Sequence, residues 1–175
     1  AVLPNPTAQA TALAQPTALV FAADGTHAWV AAFNSDRVAK VSSTGSVLAR
    51  VDVRPVIANG AREMRGPRGL ALSPNAARLF VLNKLSNTIT VVDASTASVL
   101  SEVKTGSRDP MPTAIKEGRG FLFDARLSGN GLGSCAVCHP DSDRDGMAWD
   151  LGDPGGSMLT VIGVNNSIHD TTPQN

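Results

Sequence analysis

Several large classes of function find no footing in this chain. It carries no net charge, 15 lysines and arginines balancing 15 aspartates and glutamates. Neither nucleic acid nor an anionic membrane is indicated as a partner. No apolar run reaches the ~18 residues of a membrane-spanning helix. No basic stretch followed by an apolar one opens the chain as a secretory leader would. No Ser-His-Asp set, phosphate loop or dinucleotide fingerprint can be assembled from it. Cysteine is reduced to two residues and histidine to three. What remains is 42% hydrophobic and 17% charged, a globular composition. The 175 residues suffice for one ordinary domain or two small ones.

Both cysteines fall in one stretch, Cys135-Ala136-Val137-Cys138-His139. C-x-x-C-H is the attachment signature of a c-type haem. Residues three and four apart share a helix face, so Cys135 lies beside Cys138 and His139 on a short helix. Two thiols so placed suit thioethers to the two vinyl groups of one porphyrin, with His139 as proximal iron ligand. Pro140 disfavours helical geometry at the residue before it, so the helix is expected to end at His139. A disulfide, a redox dithiol or half a zinc site would use the same cysteines. A structural zinc site needs about four ligands, and only His27 and His169 remain to supply more. A thioredoxin-like dithiol calls for a βαβ context, which is not apparent. Haem c attachment takes place outside the cytoplasm, so the motif implies a periplasmic or similar location.

The first hundred residues hold a repeat. Residues 1–14 show little periodicity and read as an extended lead-in or loop. From Pro16 to Val30 the chain aligns without gaps on Pro67 to Val81, an offset of 51 residues. The offset carries Ser35 onto Ser86, Asp36 onto Asn87, Val38 onto Ile89 and Val41 onto Val92. One inserted residue later, Val47-Leu48 matches Val99-Leu100. A period of ~40–50 residues points to propeller blades or a similar array. The second unit divides into strands at 68–73, 78–83, 88–93 and 98–104, separated by turn residues such as Ser73-Pro74-Asn75. Ala23-Asp24-Gly25 and Asn34-Ser35-Asp36 play these parts in the first unit. Leu79-Phe80-Val81-Leu82 is continuously apolar, which predicts burial on both faces.

The pattern Pro67-Arg-Gly-Leu-Ala-Leu-Ser-Pro-Asn75 through Leu79-Phe80-Val81, followed by Asn83-x-x-Ser86-Asn87 and Asp93, resembles the YVTN-type β-propeller repeat of bacterial surface and periplasmic proteins. The resemblance covers about residues 15–105 and is looser in the first unit, where Ala22 and Ala23 replace Ser-Pro. Propellers close with about 4–8 blades. Two units leave open sheet edges, so a fragment of a longer propeller protein is the expectation. Between the units lie Arg54, Arg62, Arg65 and Arg68 beside Asn59-Gly60. They read as a solvated loop or as a docking patch for an acidic redox partner.

Asp109-Pro110-Met111-Pro112 ends the strand pattern, and Thr113 to about Leu127 reads as a helix. Gly118 and Gly120 each weaken it by roughly 1 kcal/mol, which suggests close approach to another helix or to the porphyrin edge. The run from Gly118 through Phe123, Asp124, Ser128, Gly131 and Ser134 to Cys135-x-x-Cys138-His139 resembles the first haem-binding stretch of the bacterial di-haem cytochrome c peroxidase superfamily. That resemblance implies Cys135 and Cys138 as thioether anchors, His139 as proximal ligand, and Phe123 and Leu127 as haem packing. Members of that superfamily carry two such motifs. This chain has one, so it is not a complete di-haem peroxidase.

Downstream, Asp141-Ser-Asp143-Arg-Asp145-Gly146 opens like a calcium loop, but Gly152 stands where the loop's closing glutamate belongs. A hydrogen-bonded Asx turn is the alternative. Trp149 is expected to pack on the haem edge or the preceding helix. Met158 and His169 are candidates for the distal iron ligand, whereas Met147 is too close to His139. Residues 157–164 form one short strand or turn, and the tail is polar.

The sequence therefore predicts a multidomain chain. A lead-in (1–14) precedes two four-stranded blades of a partial β-propeller (15–106), then a mostly α, mono-haem c-type cytochrome segment (110–175). The expected function is electron transfer to or from a redox partner protein within a larger periplasmic oxidoreductase. A peroxidase-type enzyme fragment and a propeller binding module with an accessory haem are the alternatives.

Overall fold

The computed structural model describes residues 5–54, 63–108 and 110–139, together with the backbone of 158–160 and 171–173. Arg62, Asp141, Asp143, Asp145, Met147, Trp149 and His169, and the Met158 side chain, lie outside the described residues. The chain divides into two compact units, 1–135 and 136–175.

Each repeat folds as one four-stranded antiparallel meander. The first contains β1 (Pro16–Phe21), β2 (His27–Ala32), β3 (Arg37–Ser42) and β4 (Val47–Asp52); the second contains β5 (Pro67–Leu72), β6 (Arg78–Asn83), β7 (Thr88–Asp93) and β8 (Ser98–Lys104). Two such sheets fit a partial β-propeller. The repeat extends to irregularities. Register shifts occur at Pro16/Ala18 and Lys40/Val41 in one sheet, and at Pro67/Gly69 and Val91/Val92 in the other. The β1–β2 and β5–β6 turns also match. Gly25 N–H donates to Ala22 O and Ala76 N–H to Ser73 O, both residues at positive φ. Asp24 and Asn75 accept from the backbone two residues on, forming the Asx turns their side chains favour.

The two blades, as we call these sheets, bury a shared core. Blade 1 contributes Trp29, Ala31, Val38 and Val51, and blade 2 contributes Leu79, Val81 and Val92. Lys40 closes this seam, its Nζ 5.8 Å from the Trp29 ring centroid and donating to Ala94 O at 3.4 Å. Thr17 Oγ1 donates to Pro67 O across it. The expectation that Leu79–Leu82 is covered on both faces is corrected. Side chains alternate across a strand, and only one face of blade 2 meets blade 1. Leu79 and Val81 are fully buried, whereas Phe80 is 38% exposed and Leu82 48%. On the opposite side, Leu19 and Phe21 of blade 1 are exposed.

The lead-in is corrected as well. Pro6–Thr11 forms a helix, α1, with Pro6 at its first turn and the Asn5 side chain accepting from Ala8 N–H at 3.0 Å. Both features favour helix initiation. Arg37 donates to Gln9 O and Ala12 O, and Arg50 to Thr11 O, which ties α1 to the outer face of blade 1.

After blade 2, α2 spans Thr113–Phe123, a 3-10 turn covers Ala125–Leu127, and α3 is the single turn Cys135–Cys138. The expected helix to Leu127 stops early because Asp124 leaves helical geometry and its carboxylate accepts from Arg126 N–H. In the second unit, β9 (Met158–Thr160) pairs antiparallel with β10 (Thr171–Pro173). The strand at 158–160 lies where a short strand or turn was expected. The described residues of 110–175 thus hold two α-helices, one 3-10 turn and two strands, and do not support a mostly α segment. No described helix is long and apolar enough to cross a membrane.

Candidate functional site

The C-x-x-C-H motif begins where a tethered loop ends. Its approach is built from consecutive local hydrogen bonds. Asp124 caps the 3-10 turn and holds Arg126 Nε at 2.8 Å. Ser128 Oγ donates to Ala125 O at 2.7 Å and accepts from Gly131 N–H at 3.1 Å. Gly131 takes φ +75°, and a Cβ there would meet Ala12 Cβ and Gln9 Cα at 2.9 Å. Only glycine tolerates both conditions. The loop is also fastened to α1, through Asn5 N–H to Gly129 O at 2.8 Å and Gln9 Nε2 to Ser128 O at 2.7 Å. At its far end, Ser134 Oγ accepts from Asn34 Nδ2 at 2.7 Å.

Cys135 and Cys138 then open and close α3, and His139 follows directly. The helix thus ends one residue short of His139, close to the expected stop. Both cysteines are unpaired; Cys135 is exposed and Cys138 half-buried, and His139 is exposed. In the sequence leading to the motif, the large apolar side chains of Ile115, Phe121, Leu127 and Leu132 are exposed, as is Val137 within it. Thiols on one helical turn with a histidine directly after them have the chemistry that covalent attachment of a haem requires. Among the described residues no group of three or more His, Cys, Asp or Glu gathers for a bare metal ion.

Of the two packing candidates, Leu127 is exposed and Phe123 packs against Phe33. The Phe123 ring stands edge-on to Phe33, with centroids 5.6 Å apart and planes at 89°. This favourable aromatic geometry joins α2 to the buried cluster of Phe33, Met64 and Leu85. Gly118 meets nothing within 4 Å among the described residues, so no close approach to another helix is found there.

Of the arginines between the blades, Arg54 and Arg65 are held in ion pairs rather than solvated. Arg65 pairs with Glu102 at 2.7 Å, and Arg54 with Asp124 at 3.4 Å and Asp36 at 3.8 Å. Arg126 reaches Asp124, Asp52 and Asp36. Arg68 is exposed. The Arg54–Asp124 pair and the Arg126 pairs with Asp36 and Asp52 fasten the segment after blade 2 to blade 1. At their centre Asp36 is fully buried and accepts from the backbone N–H groups of Arg65 and Gly66. Burial pushes its carboxyl up to about 6, against the opposing pull of those N–H groups and Arg54. A separate polar pocket of about 430 Å³ lies near Arg65, Thr88, Glu102, Lys104 and Lys116, and neither motif cysteine nor His139 lines it.

The sequence reading missed α1 and Asn34 as supports of the motif. The available signal was a departure from the repeat: Asn34 stands where blade 2 has Leu85.

No protein-family model matches the chain, and no curated protein matches it. Among solved structures, Kuenenia stuttgartiensis hydrazine synthase is 27% identical over 55% of this chain and 25% of that one, with a TM-score of 0.46. Pseudomonas aeruginosa periplasmic gluconolactonase is 24% identical over 57% of this chain and 29% of its own, also at 0.46. Staphylococcus aureus virginiamycin B lyase is 17% identical over 63% and 30%, at 0.42. The chain therefore spans well under half of each of these proteins. These neighbours are β-propeller proteins, but at such TM-scores the likenesses say nothing about activity, and the fold rests on the two sheets themselves.

Proposed function

We propose that this chain is the haem-bearing portion of a larger extracytoplasmic oxidoreductase, and that it passes electrons to or from a redox partner protein. Cys135 and Cys138 would hold the porphyrin as thioethers, and His139 would supply a nitrogen ligand to its iron. The observation that carries the reading is α3, one helical turn presenting two unpaired thiols with a histidine directly after it. A bound haem supplies one-electron chemistry at iron. The residues of the chain contribute attachment, one axial ligand and a fixed approach, the loop from Ser128 to Ser134 being fastened at both ends. Met158 or His169 would supply a distal ligand.

The test is the visible spectrum of the reduced protein, made with a haem-attachment system, before and after carbon monoxide. A c-type spectrum that carbon monoxide leaves unchanged is the expected result, because an iron with two firm ligands transfers electrons without binding small ligands. Ready binding of carbon monoxide would instead favour a peroxidase-type role with an open distal side. Absence of a c-type spectrum would overturn both.

A further inference from the structure

Asn34 has an environment that folding alone does not explain. It is fully buried in the turn between β2 and β3. Its Nδ2 donates to Ser134 Oγ, a hundred residues away, while its Oδ1 has no hydrogen-bond partner among the described residues. A buried acceptor without a partner is unfavourable. The repeat shows that the position accepts an apolar side chain, since Leu85, 51 residues on, is buried against Phe33 and Met64. Blade 1 has a polar residue where blade 2 packs a leucine, and the single hydrogen bond gained lies next to Cys135.

The turn that carries Asn34 is itself held firmly. Asn34 N–H donates to Ala14 O, Phe33 N–H to Gln15 O, and Ser35 Oγ accepts from Ala14 N–H at 2.8 Å. The same lead-in segment supports the other end of the loop through Gln9 and Asn5. Ser134 is therefore tied to a rigid corner of blade 1, and any slack at Ser134 passes directly to the first motif thiol.

We propose that Asn34 is a positioning residue for haem attachment: its amide fixes Ser134 and so sets how Cys135 is presented. The proposal rests on the covalent-haem reading above. In each attachment a thiol adds across a vinyl double bond. An S–C bond forms, the thiol hydrogen passes to the neighbouring carbon, and nothing is oxidised or lost overall. Both additions must reach one porphyrin, so a mobile first thiol leaves chains that are unloaded or joined through Cys138 alone.

The experiment compares the full wild-type chain with Asn34→Leu, Ser134→Ala and Ser134→Thr, each made with a haem-attachment system. Intact mass reads the haem-loaded fraction, the midpoint potential reads the site, and thermal unfolding of the haem-free chain reads the fold. Asn34→Leu, which copies blade 2, should keep or raise the unfolding temperature yet give a several-fold lower loaded fraction or a shifted potential. Ser134→Ala should do the same, and Ser134→Thr, which keeps the hydroxyl, should restore loading. Wild-type loading and potential in both Asn34→Leu and Ser134→Ala would overturn the proposal. Should Asn34→Leu not fold, Ser134→Ala against Ser134→Thr decides alone. A wild-type chain that takes no haem defeats the underlying reading instead, so the two failures are distinct.

Discussion

Trp29 in β2 of blade 1 is completely buried; Phe80, at the matching place in β6 of blade 2, is 38% exposed. The strands share length, register shifts and turn geometry. The difference comes from what lies alongside: blade 2 covers the Trp29 face, and no described element covers the Phe80 face to the same degree. A second contrast is chemical. Asp36 and Asn87 both take the left-handed conformation, φ +52° and +54°, which their side chains tolerate. Asp36 is buried among arginines and backbone donors, while Asn87 is exposed. Blade 1 is thus the blade that carries the ionic corner, the α1 tether and the hydrogen bond to Ser134. Repeats of one fold diverge where one of them takes on a further attachment.

Substitutions at paired positions test this contrast, and the largest effect falls on the core. Trp29→Ala should cost about 3–5 kcal/mol by opening a cavity at the blade seam. Phe80→Ala should cost about 1 kcal/mol, since much of its surface is already in water. Equilibrium denaturation of the two variants reads both values, and equal losses would mean that the outer face is covered in solution.

Next comes the ionic corner. The Asp36 carboxyl sits at about 6 in the folded chain, against 3.8 for an ordinary aspartate. The folded state therefore binds more protons between these values, and stability should fall as pH rises from about 4 through about 6. Asp52, also raised by burial, titrates in the same direction, so the useful quantity is wild type minus Asp36→Asn. That difference should move against the wild type by on the order of 3 kcal/mol across the window. A pH-independent difference would show that Arg54 and Arg126 compensate the buried charge in full.

The smallest effects concern turns. Ala76 and Ala97 take positive φ where blade 1 has Gly25 and Gly45. Ala76→Gly and Ala97→Gly should each stabilise blade 2 by about 0.5–1 kcal/mol, by relieving left-handed strain at a non-glycine residue. A loss of stability in thermal melts would show that unfolded-chain entropy outweighs the strain.

How far the sequence was legible followed from the range of the interactions involved. The strands of blade 2 are periodic, punctuated by Ser73-Pro74-Asn75 and Asp93, and β6, β7 and β8 have the bounds expected of them. The short helix at the motif also follows from local spacing. By contrast α1 is short and rests on contacts with Gly129, Ser128, Arg37 and Arg50, all remote in sequence. Arg54 and Arg65 looked solvated because Asp124 and Glu102, which hold them, stand 70 and 37 residues away. The double coverage expected of Leu79–Leu82 failed for a related reason: an apolar run records what a strand can bury, not how many neighbours it has.

We propose a covalent haem at Cys135 and Cys138. The most direct test is the intact mass of the full chain produced with a haem-attachment system. The wild type should gain the mass of one haem, and the Cys135→Ala/Cys138→Ala variant should gain none. A wild-type chain of unmodified mass, with both thiols still open to alkylation, would contradict it.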